Sequence, residues 1–282
     1  ENQDSRVIGI HLLAKERSLS EGKEKWGLSE ILQRMLAEGG TTEHPDKALY
    51  QTLESMGVEL KFYDDPYIPF DDYYNTPRFT YMRLKLVDTF FEQGLKLFAE
   101  MIRQPNLSEK AYNEAKKQVM ILSENDTMST PRVADRIFYD NLFKNNPGFG
   151  WLSGKKEQIE KIQLEDVKAF YSKFYNPSNL ILAVSGNISI DKALAMVKQN
   201  FGGVWGDAGW QPPAFTPEFK VLGTTVREKI GKQQSYISVA NTCDVSEEDQ
   251  PALYVMETIF GDRLAFNLRE KQGLAYSIGV SF

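Results

Sequence analysis

Two histidines, His11 and His44, make up the chain's whole supply of the commonest protein metal ligand, and they stand thirty-three positions apart. No histidine pair falls at i, i+4, so neither H-E-x-x-H nor H-x-x-E-H occurs anywhere in the 282 residues. His44 follows two threonines at an expected helix start, and His11 sits on the polar-facing side of an expected strand. Each reads as a structural or solvated residue. The other nucleophile and phosphate patterns also fall short. In "GWLSGKK" (150–156) three residues separate the glycines instead of four, and Lys156 stands where Ser or Thr would hold Mg²⁺. The S-x-x-K matches at Ser20–Lys23 and Ser153–Lys156 come with neither S-D-N nor K-T-G, and no G-x-S-x-G is present. Cys243 is the single cysteine, which excludes an internal disulfide and a cysteine metal cluster. The 39 acidic residues are scattered over polar faces and read as solvated. One pair has a suggestive spacing. Glu30 and Arg34 in "GLSEILQRML" (27–36) lie one helical turn apart, an i, i+4 arrangement contributing ~0.3–0.5 kcal/mol on an exposed helix face. From the residues alone, no catalytic centre is visible.

The elements that would position these residues are clearer. In "VIGIHLL" (7–13), Ile8, Ile10 and Leu12 alternate as on one face of a strand. A helix follows with Leu28, Ile31, Leu32, Met35 and Leu36 at i, i+3, i+4, i+7 and i+8, ended by Gly39-Gly40. "TTEHPDKALYQTLESMG" (41–57) restarts a helix, and strands are expected in "VELKFYDD" (58–65) and "TPRFTYMRLKL" (76–86). Residues 88–103 carry Phe91, Leu95, Phe98 and Ile102 on one face before Pro105. Further helices are expected over 108–125, 131–144, 164–175 and 190–201. "NLILAVSG" (179–186) is an apolar run of strand length and reads as a buried strand. The Gly/Pro-rich stretch 202–219 has no period, which places a linker at 206–218 between a first domain, 1–205, and a second, 219–282. Beyond it come strands at 224–230 and 234–240, a helix starting near Ser246 with "SEED" as a capping-box-like signal, and a strand at 275–282. Helices and strands without a regular alternation point to an α+β fold of packed layers.

Composition bounds the function classes. Apolar residues are 41% and charged residues 26%, as in globular proteins with a core. A net charge of −6 argues against a nucleic-acid partner. No apolar run approaches the ~18 residues of a membrane-spanning helix. The first residue is not Met, and the last expected strand runs to the final residue, so a fragment or a trimmed chain is expected.

A resemblance enters at the C-terminal end. "LAFNLREKQGLAYSIGVSF" resembles the signature of the second domain in the pitrilysin/insulinase family of metallopeptidases, an L-R-E-x-x-G-L-A-Y segment between a helix and a strand. "NLSEKAYNEAKKQVMILSENDTMSTPRVADRIFYDNLF" looks like the paired helices that follow the metal helix in that family. "KIQLEDVKAFYSKFYNPSNLILAVSGNIS" is similar to its helix, Tyr-x-Pro-x-Asn turn and central strand. The resemblance spans nearly the whole chain. It implies a two-layer α/β sandwich of the pitrilysin/insulinase type, with a second homologous domain only partly present.

In the same frame, family enzymes show G-L-x-H-x-x-E-H-M-L where this chain has G-L-S-E-I-L-Q-R-M-L. The resemblance therefore assigns Glu30 to the first histidine ligand, Gln33 to the general-base Glu and Arg34 to the second histidine. The third ligand, a Glu in the family, falls at Ser123, with Glu124 beside it. Arginine does not give up its proton to bind zinc, and a glutamine amide accepts none from water. The implied role is a non-catalytic subunit, or half of a longer chain, that binds no cofactor of its own. Zinc is expected only in a partner subunit. Arg269 and Tyr276, seven apart, match the Arg and Tyr that bind substrate across the family's clam-shaped chamber. Arg presents a fixed fork of donors to a carbonyl or carboxylate, and the Tyr hydroxyl donates to a developing oxyanion. The expected partners are the zinc-bearing subunit (or the other half of the chain) and a peptide, with no nucleic acid. The alternative reading is a non-proteolytic scaffold of the same fold, like the core subunits of the respiratory cytochrome bc complex. The segment before the L-R-E motif, "IFGDRLAFNLRE", is shorter than in many family members. By analogy with the two-subunit bacterial branch, the compartment would be the periplasm or cell envelope, with the cytoplasm also open.

Overall fold

The computed structural model describes residues 5–45, 48–64, 74–146, 149, 153–218 and 223–282. The chain divides into two compact units. One comprises Glu1–Glu218 with Thr224–Val239, the other Phe219–Gly223 with Ala240–Phe282.

The first unit is built on a four-stranded antiparallel sheet of order β2-β3-β1-β4. Its strands are β1 (Val7–Lys15), β2 (Glu59–Lys61), β3 (Phe79–Val87) and β4 (Leu180–Ser185). Alternation along β1 buries Ile8, Ile10, Leu12 and Ala14, and β3 buries Thr80, Met82, Leu84 and Leu86. The register places Ile10 opposite Leu84 on one side and Val184 on the other, so one face of the sheet is a continuous apolar surface.

A helical layer covers that face. Helix α1 (Arg17–Glu21) and helix α2 (Leu28–Glu38) follow β1. Helix α3 (Ala48–Ser55) precedes β2, and α4 (Phe91–Arg103) and the 20-residue α5 (Glu109–Met128) follow β3. Helices α6 (Thr130–Leu142), α7 (Lys156–Lys161) and α8 (Leu164–Phe174) lead to β4, and α9 (Ile190–Phe201) comes after it. The stripe expected for α2, Leu28, Ile31, Leu32, Met35 and Leu36, is buried throughout, as are Phe91, Leu95, Phe98 and Ile102 of α4. The turn between α8 and β4 explains the Tyr-x-Pro-x-Asn pattern. Tyr175 is buried, and its hydroxyl lies 3.4 Å from the Thr80 hydroxyl. Asn176 Oδ1 accepts from Ser178 N at 3.0 Å, and Asn179 Nδ2 donates to the carbonyls of Phe174 (2.9 Å) and Lys15 (3.3 Å). Asn179 thus ties the end of α8 to the end of β1.

Three sequence expectations change. β4 is not buried on both faces: Leu180, Leu182 and Val184 pack inward, while Ile181 is 54% exposed. It is an edge strand whose outer face no layer among the described residues covers, and an apolar run does not reveal that. Residues 224–230, 234–240 and 275–282 join no ladder among the described residues. Alternating chemistry marks a segment that can form a strand, but a strand exists only where backbone partners take its hydrogen bonds. The short helices α1 and α7 carry too few turns for a period to show. Residues 46 and 47 of the expected 41–57 helix, residue 65 of the 58–65 strand and residues 150–152 of the glycine-lysine loop lie outside the described residues.

In the second unit, α10 (Gln250–Leu264) runs into a π-helical segment, Ala265–Glu270. The "SEED" signal acts one turn early. Ser246 Oγ accepts from Asp249 N (3.2 Å) and donates to the Asp249 carboxylate (2.8 Å), and the regular helix starts just after.

Candidate functional site

Helix α2 begins without a capping side chain of its own, since its N-cap is Gly27 at φ 109°. Glu21 of α1 supplies the missing acceptors. Its Oε1 takes the Ser29 N–H at 2.9 Å and its Oε2 the Gly27 N–H at 3.2 Å. A carboxylate at a helix N-terminus also meets the positive end of the helix dipole. Arg17 balances that charge, with Nη1 3.2 Å from Glu21 Oε1, and the side chains of both residues are fully buried. Arg17 Nε donates in turn to the Thr76 carbonyl at 2.5 Å, and Nη2 to Ser18 Oγ at 3.3 Å. A buried ion pair survives only with such additional hydrogen bonds. It is a site the sequence reading missed, although the i, i+4 spacing in "RSLSE" was its one visible signal.

The four positions singled out on α2 and α5 lie in this polar region. Glu30 Oε1 accepts from Ser153 Oγ at 3.1 Å. Burial raises its carboxyl to about 7, against the opposing pull of Arg34 and Arg17. Gln33 is fully buried and donates to the Tyr74 carbonyl at 3.2 Å. Arg34 lies over the Tyr63 ring, 4.0 Å from its centroid, and no ion pair closes between Glu30 and Arg34. The expected i, i+4 bridge is therefore not made, because Ser153 and Tyr63 draw the two side chains to different partners. Ser123 on α5 is buried and donates to the Gly154 carbonyl at 3.1 Å, while Glu124 is exposed and pairs with Lys156 at 2.7 Å. Ser153 and Gly154 thus connect Glu30 with Ser123. Gly154 is required there, since a Cβ at that position would stand 2.0 Å from the Trp26 carbonyl oxygen.

This donor set does not fit zinc. It offers one carboxylate, Glu30, beside the Arg34 guanidinium, which presents hydrogen-bond donors and no lone pair for a metal, and the Ser123 hydroxyl is committed to a carbonyl. Buried polar atoms without a hydrogen-bond partner among the described residues gather on α2: Ser29 Oγ, Glu30 Oε2, Gln33 Oε1, and Nε and Nη1 of Arg34. Helix α2 is an apolar helix with a polar stripe kept inside the protein.

Arg269 and Tyr276 belong to the second unit. Arg269 lies in the π-helical segment, and Gly273, at φ 61°, turns the chain back by donating to the Arg269 carbonyl at 3.0 Å. Leu274 N donates to the Leu268 carbonyl at 2.9 Å and closes the turn. The reversal brings the guanidinium of Arg269 over the Tyr276 ring, 5.6 Å from its centroid, within cation–π range. Tyr276 is 90% exposed, and Arg269 also contacts Glu270 at 3.4 Å. Two side chains seven apart in sequence are thus adjacent and open to solvent.

His11 Nδ1 bonds to the Tyr81 hydroxyl across the β1–β3 ladder, and His44 Nδ1 lies 2.7 Å from Glu100 Oε1. Ser20 Oγ donates to the Glu16 carbonyl, and Cys243 is exposed and unpaired.

Known proteins resemble this chain over most of its length. The insulinase (peptidase family M16) family matches residues 2–149, and the peptidase M16 inactive domain matches residues 161–282. The non-peptidase homolog YmxG of Helicobacter pylori is 22% identical over 275 residues, covering 96% of this chain and 61% of that protein. An uncharacterized zinc protease of Rickettsia felis is 25% identical over 280 residues, covering 96% of this chain and 64% of that protein. The chain therefore spans less than two-thirds of the length of either relative. A crystal structure of a peptidase M16 inactive domain from Pseudomonas fluorescens superposes with a TM-score of 0.73 at 19% identity, over 100% of this chain and 66% of that one, which shows a common fold. With more than half of its residues inside the first match and most of the rest inside the second, the chain belongs to the insulinase family, peptidase family M16.

Proposed function

We propose that this chain is a non-catalytic member of the family that supplies Arg269 and Tyr276 to a peptide-binding chamber completed by a zinc-bearing subunit, or by the other half of a longer chain. The observation that carries the reading is the exposed Arg269–Tyr276 pair, held together on a tight reversal while α2 lacks a zinc donor set. The arginine fork suits a peptide carbonyl or carboxylate, and the tyrosine hydroxyl would donate to negative charge developing on a carbonyl oxygen. The match of residues 161–282 to the inactive domain, and the non-peptidase name of the Helicobacter relative, support the non-catalytic part.

The test is reconstitution. The chain is purified with a zinc-bearing homologue from the same source, and cleavage of a fluorogenic peptide is followed. Arg269→Ala and Tyr276→Phe are each expected to lower kcat/KM by about 10²-fold, the scale of losing one oxyanion donor. Cleavage unchanged by both substitutions would overturn the reading and leave a scaffold of the same fold.

A further inference from the structure

A second constellation, at the far end of α2, has no place in that function. Gly40, at φ 76°, opens a tight turn in which a Cβ would meet the His44 carbonyl oxygen at 2.6 Å. Thr41 N donates to that carbonyl at 2.9 Å, and His44 N donates to Thr41 Oγ1 at 2.9 Å, so the turn carrying Glu43 and His44 is fixed. It is held against Glu100 of α4, whose Oε1 lies 2.7 Å from His44 Nδ1 and also takes the Thr41 hydroxyl. One donor atom from each of Glu43, His44 and Glu100 lies within 4.8 Å of the others.

We propose that Glu43, His44 and Glu100 form a divalent-cation site, with zinc as the preferred ion, that clasps the turn after α2 to α4. The placement of the donors points there. Glu100 is only 8% exposed, and among the described residues its ion-pairing partner is the imidazole of His44. A buried carboxylate oxygen and an imidazole nitrogen facing each other are two donors that one divalent cation can take together. The third donor, Glu43, lies within the same reach. One imidazole nitrogen with two carboxylate oxygens is a set that zinc accepts, leaving the fourth position to water. At zinc–ligand distances of ~2.0–2.2 Å, tetrahedral donors stand about 3.4 Å apart. The His44–Glu100 contact then opens slightly, and the exposed Glu43 side chain swings in. Glu100 anchors the site from the buried side, and Glu43 and His44 close it from the solvent side. The ion would have a structural role, binding two elements that contribute nothing to the positions aligned with the family's metal helix.

The experiment uses the full chain, stripped with a chelator. Zinc affinity is measured by competition with a chromogenic chelator, and cobalt substitution is followed by its visible absorption. One zinc per chain is expected. His44→Ala and Glu43→Gln, both on the solvent side and both leaving Glu100 in place, are each expected to weaken binding at least about tenfold. Zinc should also raise the thermal midpoint of the unsubstituted chain and leave that of His44→Ala unmoved. No zinc bound by the unsubstituted chain at micromolar free metal, or unchanged affinity in either variant, would overturn the proposal. Circular dichroism of both variants verifies that they fold, so that a loss of binding is not a loss of structure.

Discussion

Helix α2 and the Arg269–Tyr276 reversal hold their polar residues in opposite surroundings. On α2, Ser29, Gln33 and Arg34 are buried, and Glu30 is buried enough for its carboxyl to rise to about 7. In the second unit, Tyr276 is 90% exposed and the guanidinium of Arg269 rests on its ring. Buried polar groups are committed to the fold and costly to disturb, whereas exposed ones on a hydrogen-bonded turn are available to a ligand. Substitutions in the first region should read out as stability, and substitutions in the second as binding.

The largest effect is expected from Arg17→Ala. It strands the Glu21 carboxylate in the interior and weakens the N-terminal cap of α2, at a cost of about 3–5 kcal/mol in chemical denaturation. A loss below about 1 kcal/mol would mean that the cap does not depend on the pair. Glu30 gives an intermediate and pH-dependent effect. The folded chain holds its proton to about pH 7, whereas the unfolded chain releases it near the ordinary 4.5. Between those values the folded state binds a proton that the unfolded state lacks, so stability falls as pH rises through this window and levels off above it. Glu30→Gln should remove that slope and be more stable than the unsubstituted chain at pH 8 by roughly 1–3 kcal/mol. Identical pH–stability curves for the two proteins would show that Glu30 is ionised in the fold throughout. The smallest stability effect belongs to Tyr276→Phe and Arg269→Ala, each within about 0.5 kcal/mol of the unsubstituted chain. A larger loss would place these residues among the structural ones and erase the contrast with α2.

The sequence carried most of the first unit because amphipathic periods were strong there. Leu28, Ile31, Leu32, Met35 and Leu36 are spaced as one helix face and are all buried, and the alternation of β1 and β3 survives as their core face. The candidate site was legible only in part. The residue types at Glu30, Gln33, Arg34 and Ser123 could be read from the sequence in the frame of the family resemblance. Their partners were hidden, because Ser153, Gly154 and Tyr63 reach them across gaps of 29 or more positions. Glu100 is likewise 56 positions from His44, so the acid–imidazole contact left no local trace.

Local pattern, then, determined the helices α2 and α4, the strands β1 and β3 with their inward faces, and the absence of an H-x-x-E-H pair. Tertiary packing alone decided that Arg34 stacks on Tyr63 rather than pairing with Glu30, that β4 is an edge, and that Glu21 caps a helix it does not belong to. The reason is physical. A period encodes the free energy of burying one face, which depends on the segment alone. The partner of a side chain depends on which distant atoms the fold brings within a few ångströms of it.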